Sequence, residues 1–577
     1  MSKKLRIIIA IIVIIILGVA GFFIAKKIEQ ENRKYNIENI SEYNYFVIKE
    51  DNKYGIMDKE GKTIIEPNYD NIKIPNPTKA VFFCYQDDEI IAINDKNEKI
   101  FTEYENITPL RLKNISSDLM YEKSVLKYKE NGKYGLIDFN GKKITKAIYD
   151  EIDTLQFKEG ELLVKSKEKY GVINIKGHAL VKVKYDKVEV DKYYSAEGSY
   201  KEAGYIVCNT TNEGYRYGYV NTNGKEIIET KYNDLYRVTD IQSKDIYIIA
   251  ADNGKYGMFK NNKQVIKNDY QSLIYNSENN LVTALKGKKY GVITLEEKVI
   301  VPFQYNQIDA TGKYIYATES DEKIVVFDDE GKESNIGENT AIIDVQDTNY
   351  QIYIKSTNDA TTYSIYEDSK KKTNKSYIYI EYLYNDYFIA CNSNNKIGII
   401  DSDENIKVDF KYDSMRKIEN TTIVEFIDDS TKNSYFYSKD TKQVAQMKNA
   451  VVENENNYIK IYNNKDRIYL STDGQALEYT DIKPNNELYA KKQNGKWGFV
   501  NSKGNKIINY EYDFVTELNQ YGFAGIQKDG KWGIINKEGK IIVNPIYELT
   551  KEKEPNFIGK YYEATYGNGE IYYSDMK

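Results

Sequence analysis

Lys531-Trp532-Gly533-Ile534-Ile535-Asn536-Lys537-Glu538-Gly539-Lys540-Ile541-Ile542-Val543-Asn544-Pro545-Ile546-Tyr547 is the clearest copy of a unit written many times along this chain. A sister copy opens at Lys496-Trp497-Gly498. Tyr replaces Trp at Lys53-Tyr54-Gly55, Lys133-Tyr134-Gly135, Lys169-Tyr170-Gly171, Lys255-Tyr256-Gly257 and Lys289-Tyr290-Gly291. One such unit cannot bury its own apolar face and must stack on the next, so the repeat decides the architecture before any other feature does.

A second anchor fixes the register. About fourteen residues after each aromatic-Gly pair comes a tail of Tyr, an acid or amide, any residue and an aliphatic. Tyr69-Asp70-Asn71-Ile72, Tyr149-Asp150-Glu151-Ile152, Tyr185-Asp186-Lys187-Val188 and Tyr412-Asp413-Ser414-Met415 are examples. Successive tails lie 35 to 47 residues apart, and the longer gaps hold decayed copies, giving fourteen units and a partial one. Within a unit the apolar runs are short and alternating, as in Tyr45-Phe46-Val47-Ile48, which is the strand pattern. Asn131-Gly132, Asn494-Gly495 and Asp529-Gly530 precede the aromatic-Gly pair and supply the positive φ that tight hairpins need. Each unit therefore reads as a tail strand followed by three hairpin-linked strands, a four-stranded module the size of a propeller blade.

The aromatic-Gly pair itself reads as structural. Gly inside a strand marks a bulge or a close backbone approach, and its aromatic neighbour packs on the adjoining blade. Most of the 56 tyrosines hold fixed repeat positions and read as scaffold too. These residues resemble the WG-repeat (KWG) family, from about residue 35 onward, most clearly over 53–308 and 486–549 and weakly over 315–480. The resemblance implies a β-rich repeat scaffold, bacterial for the most part, with no shared catalytic residues to carry over.

The expected fold is all-β, with tandem β-propellers. Fourteen blades exceed the four to eight of one usual ring, so two rings of about seven are expected. The first would span 43–312 with repeats 1–7, and the second 313–577 with repeats 8–14 and a closing hairpin. The joint is Asp309-Ala310-Thr311-Gly312-Lys313. The lone tail Ile37-Glu38-Asn39-Ile40 and the hairpin Tyr561–Tyr573 are the candidates for closure. An open solenoid is the rival architecture.

Residues 7–25 are nineteen apolar residues without a charge, about 28 Å as a helix, enough for a hydrocarbon core. Lys3, Lys4 and Arg6 precede them, which argues for an N-terminus inside and the bulk outside. The expected layout is a cytoplasmic stub at 1–6, a transmembrane signal anchor at 7–25 and a polar stalk at 26–42, in a single-pass protein of the cell membrane. A cleaved signal peptide is the alternative, but the run is long for one and Gly21-Phe22-Phe23-Ile24-Ala25 is a poor cleavage site. Residues 1–27 hold five of the 81 basic residues and none of the 87 acidic ones, so the remainder carries a net −11. An acidic body repels polyanions, and nucleic acid is not an expected partner.

Chemistry-bearing motifs are sparse. The three cysteines, Cys84, Cys208 and Cys391, sit at one equivalent place in three units and read as buried free thiols. The single histidine, His178, falls in a turn and supports neither a zinc cluster nor a Ser-His-Asp triad. Asp401-Ser402-Asp403-Glu404-Asn405 resembles alternating calcium ligands but lacks the loop's Gly and terminal Glu. No catalytic, cofactor-binding or metal-binding residue is assigned, no cofactor is expected, and ligand-binding residues are not identifiable from sequence. The expected function is a membrane-anchored extracytoplasmic binding or scaffold protein, not an enzyme, whose partner is an envelope protein or a cell-surface glycan. The alternative is an envelope glycan hydrolase using carboxylates in the propeller centre. A deep funnel with convergent carboxylates would favour the enzyme, and aromatic-polar faces the binder.

Overall fold

The computed structural model describes residues 27–577, apart from 28–30, 88, 114–118, 195–199, 239–244, 278, 311, 313, 321–322, 334–339, 358–359, 369, 456, 479–487, 550–553, 566–569 and 577. The expected anchor at 7–25 lies outside the described residues. Among those described, no helix is long and apolar enough to cross a membrane.

Among the described residues fourteen β-units follow one another, at 45–69, 71–93, 106–137, 151–185, 187–232, 234–270, 272–305, 307–327, 340–371, 377–412, 414–448, 451–471, 489–512 and 514–547. The fourth is representative. Its strands Glu151–Leu155, Lys158–Ser166, Lys169–Asn174 and Ala179–Tyr185 pair antiparallel in chain order. In the second, third, eighth and twelfth units the last strand is reduced to single bridges such as Ile93↔Lys99 and Phe327↔Glu333. The weakly patterned stretch keeps the same pairing, and the bridge Tyr363↔Tyr377 fuses the ninth and tenth units into one eight-stranded sheet. Sequence gave no sign of that fusion.

The motif has one physical job. Its aromatic stands opposite the tail tyrosine on the next strand, as in Tyr170↔Tyr185, Trp497↔Tyr512 and Trp532↔Tyr547, with a bulge straight after. The fourth strand of the unit crowds in at that bulge. A Cβ on Gly533 would lie 2.5 Å from the Val543 carbonyl oxygen and 2.6 Å from Pro545 N. Both tryptophans are buried, and Trp497, Phe514, Trp532 and Phe557 form a run of rings with centroids 6.0–6.2 Å apart, from the thirteenth unit to the C-terminal hairpin.

The acid in the tail has a job that spacing alone does not reveal. The motif lysine donates to it from seventeen residues upstream, Lys53 to Asp70 at 2.5 Å, Lys169 to Asp186 at 2.6 Å and Lys496 to Asp513 at 2.6 Å. Lys133 with Asp150 and Lys396 with Asp413 repeat the pair. The second carboxylate oxygen accepts a backbone N–H from the next unit's hairpin turn, from Asp87, Lys167, Thr210, Asp429 and Asp529 in turn. Each tail acid thus staples one unit to its successor. Deeper in, the apolar clusters bridge neighbours: Ile72, Phe82 and Cys84 with Tyr54 and Ile56, and Val188, Tyr205 and Val207 with Val172 and Val181.

The chain's ends meet. Strand Ile571–Asp575 pairs in parallel with strand Tyr45–Glu50, Ile48↔Tyr573 and Lys49↔Ser574, so the C-terminal hairpin completes the sheet of the first unit. Lys560 Nζ adds an ion pair to Glu50 at 2.9 Å. The hairpin, placed by sequence with the second ring, is hydrogen-bonded to the first unit. Of the two candidates for closure the hairpin makes the join, and Ile37–Ile40 is irregular, the edge of Tyr45–Glu50 being taken by Ile571–Asp575.

The segment expected as a stalk is docked over its described part. Arg33 Nη1 donates to the Leu180 carbonyl at 3.0 Å, Asn174 Nδ2 to the Asn32 carbonyl at 3.0 Å, and Tyr35 Oη to Glu161 at 3.0 Å. From there the chain reaches Tyr43, whose N–H donates to Tyr521 Oη at 3.0 Å in the fourteenth unit. Eight residues span at most about 28 Å, so the fourth and fourteenth units lie within that reach.

Gly533→Val is expected to destabilise the protein strongly, because its Cβ collides with backbone that cannot retreat, and Trp532→Ala to cost about 3–5 kcal/mol. Chemical denaturation of both variants measures this; unchanged midpoints would refute the structural role of the motif. The tail acids give a second expectation. Hydrogen bonds from their lysines hold Asp70, Asp150, Asp186, Asp413 and Asp513 below the usual carboxylate range. A depressed folded pKa means stability that is present above the unfolded value, about 3.9, and is lost as pH falls through the folded values. The melting temperature should be level above about pH 5 and fall below about pH 4, less steeply in high salt, since these pairs are exposed. Changing all five to Asn should flatten that acid limb.

Candidate functional site

The residues that sequence singled out are placed apart, each in a local role. His178 is exposed in its turn, and its N–H donates to Asn174 Oδ1 at 3.0 Å. Cys84, Cys208 and Cys391 are free and sit in the second strand of their units, and burial pushes the Cys84 thiol up to about 12. Asp401 Oδ1 accepts the N–H groups of Asp403 at 3.0 Å and Asn405 at 2.8 Å, and its Oδ2 takes Lys407 at 3.0 Å. Glu404 accepts from the backbone of Asn374 and Lys375. The would-be calcium oxygens therefore brace turns, and among the described residues no cluster of three His, Cys, Asp or Glu could hold a metal.

Three carboxylates do gather, beneath Tyr35. Glu161 accepts from Tyr35 Oη and, at 2.5 Å, from Tyr205 Oη. Glu122 accepts the N–H of Gly160 at 2.9 Å and of Ser124 at 3.0 Å, and Glu159 pairs with Lys123 at 3.1 Å. Burial, then the charge of Glu161, raises the Tyr35 hydroxyl, and burial raises Glu122. A raised carboxyl is the kind of group that acts as a general acid. Here Tyr35 covers it, seated where the left-handed Gly160 has no side chain: a Cβ there would lie 2.4 Å from the Tyr35 ring.

A second buried node holds the C-terminal units together. The Arg467 side chain is 1% exposed and ion-paired to Glu517 at 2.8 Å and to Glu554, and it donates to the Val515 carbonyl at 2.7 Å. Its guanidinium lies over the rings of Trp497 and Phe514 at 5.4 and 5.1 Å. One side chain so ties the twelfth, thirteenth and fourteenth units to the connector at Glu554.

The concavity best suited to a ligand is at the seam where the ends of the chain meet, a cavity of about 350 Å³. Tyr43, Tyr45 and Phe46 form one wall, and Ile72, Lys73 and Ile74 of the second unit another. Tyr121 comes from the long first loop of the third unit, and Tyr521 from the fourteenth. The hairpin adds Glu563, Glu570 and Tyr573. Phe46 meets Tyr521 and Tyr573 edge-on, centroids 5.0 and 5.3 Å apart. Tyr121 Oη donates to Glu570 at 2.9 Å, and Asn556 Nδ2 to Glu563 at 3.0 Å. No local motif announced this cavity, because its walls lie some 500 residues apart in sequence. The one available signal was the 45-residue spacing from Tyr104 to Tyr149, which marks the longer loop that brings Tyr121 over.

Arg467→Ala is expected to cost about 3–5 kcal/mol, since it strands two carboxylates beside apolar rings. Thermal melting measures it; a loss below about 1 kcal/mol would refute the node.

Solved structures that resemble the chain do so faintly. A eukaryotic initiation factor is 9% identical over 58% of this chain and 97% of its own, with a TM-score of 0.25. The WD40 β-propeller domain of Doa1 is 13% identical over 37% of this chain and 85% of its own, at 0.18. PorZ, a surface component of the type-IX secretion system of Porphyromonas gingivalis, is 11% identical over 93% of this chain and 86% of its own, at 0.16. At such scores the fold rests on the strand pairing described above and not on these likenesses. No curated protein matches the sequence. The pattern described as "WG containing repeat" matches residues 54–75, 134–170, 217–256, 497–532 and 532–551. Those stretches hold Tyr54-Gly55, Trp497-Gly498 and Trp532-Gly533 with the bulge each pair builds, so this chain is a β-rich protein that carries WG-containing repeats.

Proposed function

We propose that the chain is a binding scaffold held at the outer face of the cell membrane by residues 7–25, engaging an envelope protein or cell-surface glycan through the seam cavity. The observation that carries the reading is the cavity itself. Five separate segments converge to build an aromatic-walled recess with a few polar groups, which is how small-ligand and side-chain sites are made. The anchor and the outward address rest on the uncharged apolar run and the basic residues before it. The grouping of the fourteen units into two rings, 43–312 and 313–577, is part of the same proposal, with the hairpin closing back onto the first.

A specific observation keeps the hydrolase alternative alive: Glu122, Glu159 and Glu161 gather under Tyr35. Their committed hydrogen bonds and the tyrosine above them favour a supporting role. Full-length protein carrying an affinity tag, used to capture partners from cell-surface extract and incubated with wall-derived glycans, separates the readings. Capture that is lost on Tyr521→Ala, with no turnover, is the expected result. Glycan turnover abolished by Glu122→Gln would overturn it. Protease added to intact cells should degrade the bulk of the chain, and full protection would refute the outward address.

A further inference from the structure

Resting on the reading of the seam cavity as the ligand site, we propose that its occupant is a cationic side chain, a lysine or arginine presented by a protein partner. Three features of the cavity point to a cation. Its walls are aromatic faces and edges, from Phe46, Tyr521 and Tyr573, and a ring face attracts a desolvated cation. Two carboxylates line it, Glu563 on the strand Tyr561–Thr565 and Glu570 just before the strand Ile571–Asp575 that pairs with it. Glu563 accepts from Asn556 Nδ2 at 3.0 Å and Tyr573 Oη at 3.5 Å, both neutral donors. Among the described residues no lysine or arginine pairs with Glu563.

The cavity already displays the chemistry on its own wall. Lys73 Nζ lies 5.0 Å from the Tyr85 ring centroid and 5.6 Å from that of Tyr121, whose hydroxyl in turn serves Glu570. That ammonium is occupied with its rings, which leaves the Glu563 side of the recess for an incoming charge. An unfolded aliphatic stem would lie against Phe46 and Ile72 with its charged head at the carboxylate, the usual way a long basic side chain divides itself between apolar and polar surroundings. The net −11 beyond residue 27 adds long-range attraction for a basic partner.

The test uses full-length protein in detergent and four probes: acetyl-Gly-Lys-Gly-amide, acetyl-Gly-Arg-Gly-amide, acetyl-Gly-Gln-Gly-amide and neutral chitotetraose. Titration calorimetry should give saturable binding of the two cationic peptides and at least tenfold weaker binding of the glutamine peptide. Glu563→Gln should weaken the cationic peptides at least tenfold without moving the melting temperature, while Asp252→Asn, an exposed carboxylate of the sixth unit, should leave them unchanged. Equal binding of lysine and glutamine peptides, no effect of Glu563→Gln, or no binding by any probe would overturn the proposal. Chitotetraose binding that is lost on Tyr521→Ala, with the cationic peptides silent, overturns the cation and keeps the site. Partner capture from extract that survives Tyr521→Ala overturns the site itself.

Discussion

The units that carry the aromatic-Gly pair each depend on one missing methyl group. Where an aromatic faces the tail tyrosine, the next residue lets the fourth strand press its carbonyl into the space a side chain would fill, 2.5 Å from the ideal Cβ position at Gly533 and 2.6 Å at Gly171. That approach accompanies the bulge between the third and fourth strands, and the aromatic packs against the following unit. A side chain at Gly533 or Gly171 would collide with that backbone and disturb the sheet locally.

Much of the fold was legible because it repeats. Tyr149, Tyr185 and Tyr412 marked the tails, and Asn131-Gly132 and Asp529-Gly530 adopt the paired positive φ of tight hairpins. What stayed hidden is what joins units together. The lysine and the acid of the rim staples were both visible in sequence, but their seventeen-residue separation is meaningful only once the fourth strand returns to lie beside the third. The parallel pairing of Ile48 with Tyr573 was foreseen only as a choice between candidates, because no local pattern records which edge a terminal hairpin will find.

The site was legible least of all. Phe46, Tyr121, Tyr521 and Tyr573 look like any other tyrosines and phenylalanines of the repeat when read along the chain. Topology alone gathers them, at the seam where the C-terminal hairpin pairs with the first unit. The buried charges divide in the same way. Arg467 and the Glu122, Glu159 and Glu161 group replace apolar contacts in particular units with polar ones, and each is met by donors or counter-charges that keep it in place. Such nodes specify which unit sits beside which, a need that fourteen similar modules make acute.

The seam has a mechanical meaning. Strands Tyr45–Glu50 and Ile571–Asp575 run parallel, so a pull toward the N-terminus on the first and toward the C-terminus on the second loads their hydrogen bonds along the strand axes, in shear, and all of them share the load. An antiparallel join loaded from the same two ends would open one bond at a time. Upstream of the seam, the contacts of Arg33 and Tyr35 with Leu180 and Glu161 take up tension arriving from the N-terminal side first. A body built this way can be tugged from both ends of its chain without opening where those ends meet.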